Sequence, residues 1–104
     1  MENLKFSVIL PVYNVASFLE DCLQSLINQS YSNLEILCVN DGSPDNSLEI
    51  LQKYAAMDAR IKVFDRENQG SGRSRNFGIE QSCGDYLSFI DPDDWVDRDL
   101  YKKL

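Results

Sequence analysis

Histidine is absent from this 104-residue chain, and basic residues are few: 10 Lys and Arg stand against 17 Asp and Glu, for a net charge of −7. Without an imidazole, no mechanism within this segment can use a histidine base or a histidine metal ligand. The shortage of positive charge argues against a nucleic-acid or anionic membrane surface, because both call for a basic patch. A phosphorylated ligand would need arginine side chains, backbone N–H groups or a bound cation.

The three cysteines, Cys22, Cys38 and Cys83, are odd in number and form no Cys-x-x-Cys pair. Their spacing favours reduced, buried thiols over a disulfide framework or a zinc site. The longest apolar run, residues 6–12, is far shorter than the ~20 residues that a membrane span needs. The N-terminus has no signal-peptide pattern. We expect a cytoplasmic location, or the cytoplasmic face of a membrane for a full-length protein, and no span in this segment.

Short apolar runs alternate with amphipathic segments along the chain. Residues 6–10 predict a strand buried on both faces, and residues 34–39 and 86–90 predict two further buried strands. Residues 61–64 alternate as expected nearer a sheet edge. The order strand, helix, strand, helix, strand, helix, strand predicts an α/β fold with a mostly parallel sheet and helices on its faces. The whole chain, residues 1–104, is predicted to form one domain.

Each predicted helix has a start signal. Ser17 and Glu20 have the spacing of a capping box, and Ser43 with Pro44 after it is typical of a helix N-terminus. Ser71 is predicted to cap the third helix.

The third helix is expected to end at Gly84. Residues 97–104 then predict a helix that has just begun, with an uncovered apolar stripe of Leu100, Tyr101 and Leu104. We therefore expect the chain to be the front part of a longer protein, cut within a helix.

The last predicted strand runs into Asp91, Asp93 and Asp94, three carboxylates within four positions. Like charges this close repel one another unless a cation or hydrogen-bond donors compensate them. Mg²⁺ is typically held by one or two carboxylates together with substrate phosphates. A solvated turn that caps the next helix is the simpler alternative, but it needs only one aspartate. The cluster therefore favours a metal and phosphate site at the carboxyl ends of the strands.

Other candidate residues occur in loops expected at the same rim of the sheet. Asp41 could hold its own loop or accept a hydrogen bond from a nucleobase, and residue chemistry leaves both open. Arg73 and Arg75 stand near a helix N-terminus that favours anions, although both could be solvated surface residues. Tyr13 and Trp95 could stack on a base or sugar, although an aromatic residue beside a strand more often packs.

In their order and spacing these segments resemble the N-terminal, nucleotide-binding half of the family 2 glycosyltransferases, which have the GT-A fold. The resemblance covers essentially all of the chain. It runs through Ser7-Val8-Ile9-Leu10-Pro11-Val12-Tyr13-Asn14, Val39-Asn40-Asp41-Gly42-Ser43, Asn68-Gln69-Gly70 with Arg75-Asn76 and Gly78, and Gly84-Asp85-Tyr86 leading into Asp91-Pro92-Asp93-Asp94. It implies a Rossmann-like, three-layer GT-A nucleotide-binding half that takes a nucleotide-diphosphate sugar, most often a UDP-sugar, with Mg²⁺ or Mn²⁺.

The resemblance also implies roles for individual residues. The donor-binding set is Pro11, Val12, Tyr13, Asn14, Asp41, Arg75 and Asp93. Within it, Asp41 would contact the base and Asp93 the ribose and diphosphate. The metal ligands would be Asp94, Asp93 and Asp91, with Asp94 ligating the ion that bridges the phosphates.

The activity implied by the resemblance is transfer of the sugar, with inversion, to a hydroxyl of a saccharide or lipid-linked acceptor. In the family the catalytic base lies downstream of the metal motif, so we expect it beyond Leu104 and predict no catalytic residue in this segment. Two alternatives are a non-catalytic nucleotide-sugar-binding module and a Mg²⁺-dependent phosphoryl-transfer or receiver-like domain. Nucleic acid is not an expected partner.

Overall fold

A computed structural model describes residues 4–93 and 97–102. Its elements, in chain order, are β1 (Phe6–Val12), α1 (Ala16–Ile27), β2 (Leu34–Asp41), α2 (Ser47–Met57), β3 (Ile61–Arg66), α3 (Ser71–Gln81) and β4 (Tyr86–Phe89). The strands form one sheet in the order β3-β2-β1-β4, with every neighbouring pair parallel. The predicted α/β alternation and parallel sheet are confirmed.

Helices cover both faces of the sheet, because successive side chains of a strand point to opposite faces. On one face, Val8, Leu10 and Ile36 pack into the main core with the apolar sides of α1 and α2. On the other face, α3 lies against β1 and β2. Among the described residues, no helix is both long and apolar enough to cross a membrane.

The helix α3 approaches the sheet through small residues. Ser74 and Gly78 are its buried positions, and a Cβ added to Gly78 would lie 2.7 Å from Cγ2 of Ile9. The predicted cap and end of this helix are both wrong. Gly70 is the N-cap, Ser71 is already helical, and the helix ends at Gln81, before the predicted Gly84.

The predicted start of α1 is also wrong, since the helix begins at Ala16 with Val15 as its N-cap and no capping bond from its own side chains. The N–H of Ala16 instead donates to Asp45 Oδ2 at 3.1 Å, and the N–H of Val15 donates to Ser47 Oγ at 3.3 Å. Partial burial raises the pKa of Asp45, but the bonds from Ser47 and Ala16 outweigh it and hold that pKa below its ordinary value. A loop distant in the sequence therefore replaces the local capping box predicted at Ser17.

The helix α2 begins at Ser47 with Asn46 as its N-cap, later than the start predicted at Ser43 and Pro44. Leu51 and Tyr54 are its buried apolar residues. Because the helix starts late, residues 42–46 form a loop at the rim of the sheet. Ser43 is therefore free to bond with the neighbouring loop.

The strand β4, predicted as a buried strand, is the outer strand of the sheet formed by the described residues. Within the described residues it pairs only with β1. Tyr86, Leu87 and Phe89 are 51%, 45% and 48% exposed. These side chains are thus more exposed in this chain than the apolar run predicts, because strand order, which the run does not encode, places β4 beside a single neighbour among the described strands.

The described residues 97–102 form turns and not the predicted helix. Tyr101 is 1% exposed, so the expected uncovered stripe is wrong at this position. Its ring centroid lies 5.2 Å from that of Phe6, and its hydroxyl is 2.9 Å from Ser88 Oγ. Leu100 packs against the core as a partly buried residue, and Leu104 lies outside the described residues.

Candidate functional site

A cavity of about 500 Å³ opens at the carboxyl ends of the strands. The chain proceeds from β1 to β2 to β3 on one side and then returns to place β4 on the other side of β1. The cavity lies beside β1, where the strand order reverses. Open α/β sheets bind their ligands at this kind of switch point.

Six of the predicted site residues line the cavity together: Pro11, Val12, Tyr13, Asp41, Arg75 and Asp91. Two others, Asn14 and Asp93, are exposed residues outside its lining. Asp94, the residue expected to ligate the metal that bridges the phosphates, lies outside the described residues, as does Trp95. The fold therefore brings most of the predicted set to one place, while the role of each residue toward a ligand stays a prediction.

Sequence reasoning did not assign site roles to five further residues of the lining: Val15, Asn68, Gly70, Ser71 and Pro92. Asn68 and Gly70 belong to a motif that carried the family resemblance. They could have been proposed, because the loop after β3 reaches the same rim as the other predicted loops. No property of Val15 marks it in the sequence.

Asp41 holds the loop between β3 and α3. It is the last residue of β2 and is 5% exposed. Its Oδ1 accepts the backbone N–H of Gln69 at 2.7 Å, and its Oδ2 accepts that of Gly70 at 3.0 Å. A carboxylate oxygen has a second lone pair, so these bonds leave room for a further donor. Of the two interpretations left open for Asp41, loop support is the one that the contacts display.

Gly42 allows the same loop to come close to β2. Its φ is +65°, in the left-handed region that residues with a Cβ rarely adopt. A Cβ built on Gly42 would lie 2.7 Å from the backbone nitrogen of Asn68. Glycine is therefore required at this position by its backbone conformation and by the approach of the loop that lines the cavity.

Ser43 joins the loops after β1 and β2. Its Oγ accepts the N–H of Asn14 at 3.2 Å and donates to Asn40 Oδ1 at 2.6 Å; it also lies 3.4 Å from the carbonyl oxygen of Val12. Asn40 is 2% exposed, and its Nδ2 donates to Asp65 Oδ1 at 3.0 Å. These bonds link the carboxyl ends of β1, β2 and β3.

Opposite charges border the cavity. Arg75, on α3, is exposed, and within the part of the chain that the structure describes it forms no ion pair. Asp91 is exposed at the end of β4. Arg73 lies outside this lining and borders a separate, shallow cleft with Arg66. An anionic ligand would therefore meet one guanidinium group, that of Arg75, and two carboxylates, those of Asp41 and Asp91, in the cavity.

The donor set suits a hard cation. Asp91 and Asp93 are exposed carboxylates beside the cavity, and Mg²⁺ and Mn²⁺ prefer such oxygen ligands. Across residues 4–93 and 97–102, no three His, Cys, Asp or Glu side chains are grouped closely enough to hold a metal. The third predicted ligand, Asp94, lies outside those ranges, so the metal site built on these three aspartates stays a prediction.

A family model described as Glycosyl transferase family 2 matches residues 7–104. The glycosyltransferase GlyA of Streptococcus pneumoniae serotype 4 is 47% identical over 104 residues, which cover 96% of this chain and 15% of GlyA. The structure of S. aureus TarS 1-349 in complex with UDP-GlcNAc is similar with a TM-score of 0.89 and 34% identity, covering 96% of this chain and 30% of TarS.

The mannosyltransferase PcManGT from Pyrobaculum calidifontis, solved with GDP-Man and Mn²⁺, shares the fold with a TM-score of 0.78 at 24% identity. The match covers 89% of this chain and 29% of PcManGT. The chain thus spans less than a third of the length of each of these three proteins. The three-layer GT-A architecture expected from the sequence is confirmed.

Proposed function

Because this chain belongs to glycosyl transferase family 2, we propose that it binds the nucleotide-sugar donor of a glycosyltransferase, a UDP-sugar, together with Mg²⁺ or Mn²⁺. The longer protein transfers the sugar to a hydroxyl of a saccharide or lipid-linked acceptor with inversion. The observation that carries the proposal is the cavity at the switch point, which brings Asp41, Arg75 and Asp91 together. Similarity to TarS, solved with UDP-GlcNAc, supports UDP as the nucleotide.

The nucleoside occupies the part of the cavity between the loops after β1 and β2. Pro11, Val12 and Tyr13 supply an apolar wall with an aromatic ring, on which a base or ribose can pack. Asp41 offers a carboxylate acceptor for the imide N–H of uracil. Its two bonds to backbone amides fix the orientation of that carboxylate before the ligand arrives, so little ordering is needed on binding.

The diphosphate lies toward Arg75 and the acidic loop. In a chain of net charge −7, a diphosphate needs local cations, and a guanidinium group can bind phosphate oxygens through paired hydrogen bonds. Asp91, Asp93 and Asp94 would hold the divalent ion, which when bound neutralises the charge that develops on the departing diphosphate. The acceptor hydroxyl must lose its proton to a base, which we expect beyond Leu104.

Calorimetric titration tests this proposal. We expect UDP and UDP-GlcNAc to bind more tightly with Mn²⁺ than without it, and Asp94→Asn to remove most of that difference, because carboxylate ligands are charged and amides are not. Glu67→Gln is the matched control, since Glu67 is also an exposed carboxylate of a rim loop but is assigned no ligand role. UDP binding that ignores Mn²⁺ in the unmodified protein would refute the metal site.

A further inference from the structure

The hydroxyl of Ser43 contacts the backbone on both sides of Tyr13. It accepts the N–H of Asn14 at 3.2 Å and lies 3.4 Å from the carbonyl oxygen of Val12. A single side chain on the neighbouring loop thus holds the residues that precede and follow the aromatic ring lining the cavity.

Tyr13 depends on such support because it stands beyond the end of the sheet. The strand β1 ends at Val12, and the ring of Tyr13 is 48% exposed. Asn14 then adopts a φ of +54°, in the left-handed region that asparagine tolerates better than most residues with a Cβ and that suits a turn. The bond from Asn14 to Ser43 restrains this turn.

Ser43 is itself fixed from the body of the sheet. Its Oγ donates to Asn40 Oδ1 at 2.6 Å, and the buried Asn40 donates through Nδ2 to Asp65 Oδ1 at 3.0 Å. The side-chain amide of Asn40 therefore accepts from Ser43 through its oxygen and donates to Asp65 through its nitrogen. Because the amide is held at both ends, the direction in which the Ser43 hydroxyl points is fixed. The restraint on Asn14 originates from the carboxyl ends of β2 and β3.

We propose that Ser43 is a positioning residue that orients Tyr13 toward the nucleoside of the donor. The inference rests on the proposed function, because it requires UDP to occupy the cavity. Ser43 does not line the cavity and acts through the ring of Tyr13, so its effect on binding exists only while that ring is present. Loss of one neutral hydrogen bond predicts that Ser43→Ala weakens UDP binding roughly three- to tenfold.

A double-mutant cycle with UDP and Mn²⁺, measured by calorimetry, tests this. Ser43→Ala, Tyr13→Ala and the double variant are compared with the unmodified protein. If Ser43 acts through Tyr13, Ser43→Ala in the Tyr13→Ala background changes the affinity by less than about twofold, because coupled residues are not additive. Ser43→Thr, which keeps the hydroxyl, restores most of the affinity.

Ser82→Ala is the control, because Ser82 donates to the carbonyl of Ile79 at the far end of α3 and its loss leaves UDP affinity unchanged. Equal losses from Ser43→Ala in both backgrounds, or no loss in either, overturn the inference while leaving the proposed function in place. If the unmodified protein does not bind UDP at all, the proposed function fails and the inference fails with it. The ratio of UDP affinities with and without Mn²⁺ stays constant in Ser43→Ala, which separates this effect from damage to the metal site.

Discussion

Replacing Glu35 by Gln should remove a large share of the stability of this domain. Glu35 is 1% exposed on the face of the sheet that α3 covers. Its Oε1 accepts from Lys62 Nζ at 2.7 Å and from Cys83 Sγ at 3.1 Å, and its Oε2 accepts from Ser7 Oγ at 2.7 Å and from the N–H of Cys83 at 2.9 Å. These bonds tie β1, β2, β3 and the turn before β4 to one carboxylate.

The magnitude follows from the pKa of Glu35. Burial pushes the pKa of this carboxyl up, but the bonds from Lys62, Ser7 and Cys83 outweigh burial and lower it from 4.5 to about 2. Each pKa unit corresponds to about 1.4 kcal/mol, so ionised Glu35 stabilises the folded state by roughly 3 kcal/mol at neutral pH. Glutamine keeps part of the hydrogen bonding, so we expect Glu35→Gln to cost roughly 2–3 kcal/mol.

The pH dependence gives the stricter test. Because the pKa is lower in the folded than in the unfolded state, the stabilisation is fully present above about pH 4.5 and is lost as the pH falls toward 2. Urea unfolding of both proteins between pH 7 and pH 3 should therefore show their free energies of unfolding converge as the pH falls. A difference that stays constant over that interval, or no difference at pH 7, would refute the reasoning.

Glu20→Gln is the matched control. The Glu20 carboxylate also accepts from a hydroxyl and a lysine, Tyr54 at 3.0 Å and Lys53 at 3.2 Å, but its side chain is 47% exposed. Exposed ion pairs contribute little to stability because water and salt screen them. We expect Glu20→Gln to unfold close to the unmodified protein, and a loss as large as that of Glu35→Gln would show that burial is not the cause.

Three further changes test the geometry of the rim and of α3. Asp41→Asn replaces one carboxylate oxygen by an N–H₂ group, which cannot accept from the backbone N–H of Gln69 or Gly70. The loop that lines the cavity then loses one of its two bonds, so we expect UDP affinity in calorimetry to fall by about tenfold or more. Unchanged affinity would contradict the loop-holding role of Asp41. Gly42→Ala combines a φ of +65° with a 2.7 Å contact, and urea unfolding should show a loss of about 1–3 kcal/mol. Gly78→Ala pushes a methyl group against Ile9 and should cost about 1–3 kcal/mol of unfolding free energy in the same assay. Gly72→Ala is the control on the same helix, because nothing lies within 4 Å of the new Cβ, and it should be neutral or stabilising. Equal losses in the two variants would contradict the close approach at Gly78.

The family and the location of the site could be predicted from the sequence because both depend on features of local order. Apolar runs that alternate with amphipathic segments indicate a parallel sheet, and in such a sheet the loops after the strands share one rim. Pro11, Asp41 and Asp91 lie at or just after the carboxyl ends of their strands, and Arg75 lies in the first half of α3, so the fold brings them to one cavity. The family and the location of the site could therefore be predicted from the order of the elements and the spacing of the motifs, without knowledge of how the side chains pack.

The wrong starts of α1 and α2 have a different cause. The amides at the start of α1 bond to Asp45 and Ser47, about 30 residues downstream, where no local capping signal could point. Because Pro44 follows Ser43, the sequence predicts a helix cap at Ser43. In the structure the Oγ of Ser43 instead accepts the N–H of Asn14 on another loop. In each case the two hydrogen-bonding groups belong to segments that are distant in the sequence and become neighbours only in the folded sheet.

Residue patterns alone determined the types of the elements, their order along the chain and the shared rim, because hydrophobic periodicity and turn chemistry act over a few residues. Only the tertiary structure decided that β4 lies beside β1, that Glu35 collects donors from three other segments, and that Asp41 and Ser43 hold neighbouring loops. Those outcomes depend on strand order and on close approach between distant segments. Hydrogen bonds act over about 3 Å, so the partners of a side chain are settled when the sheet assembles.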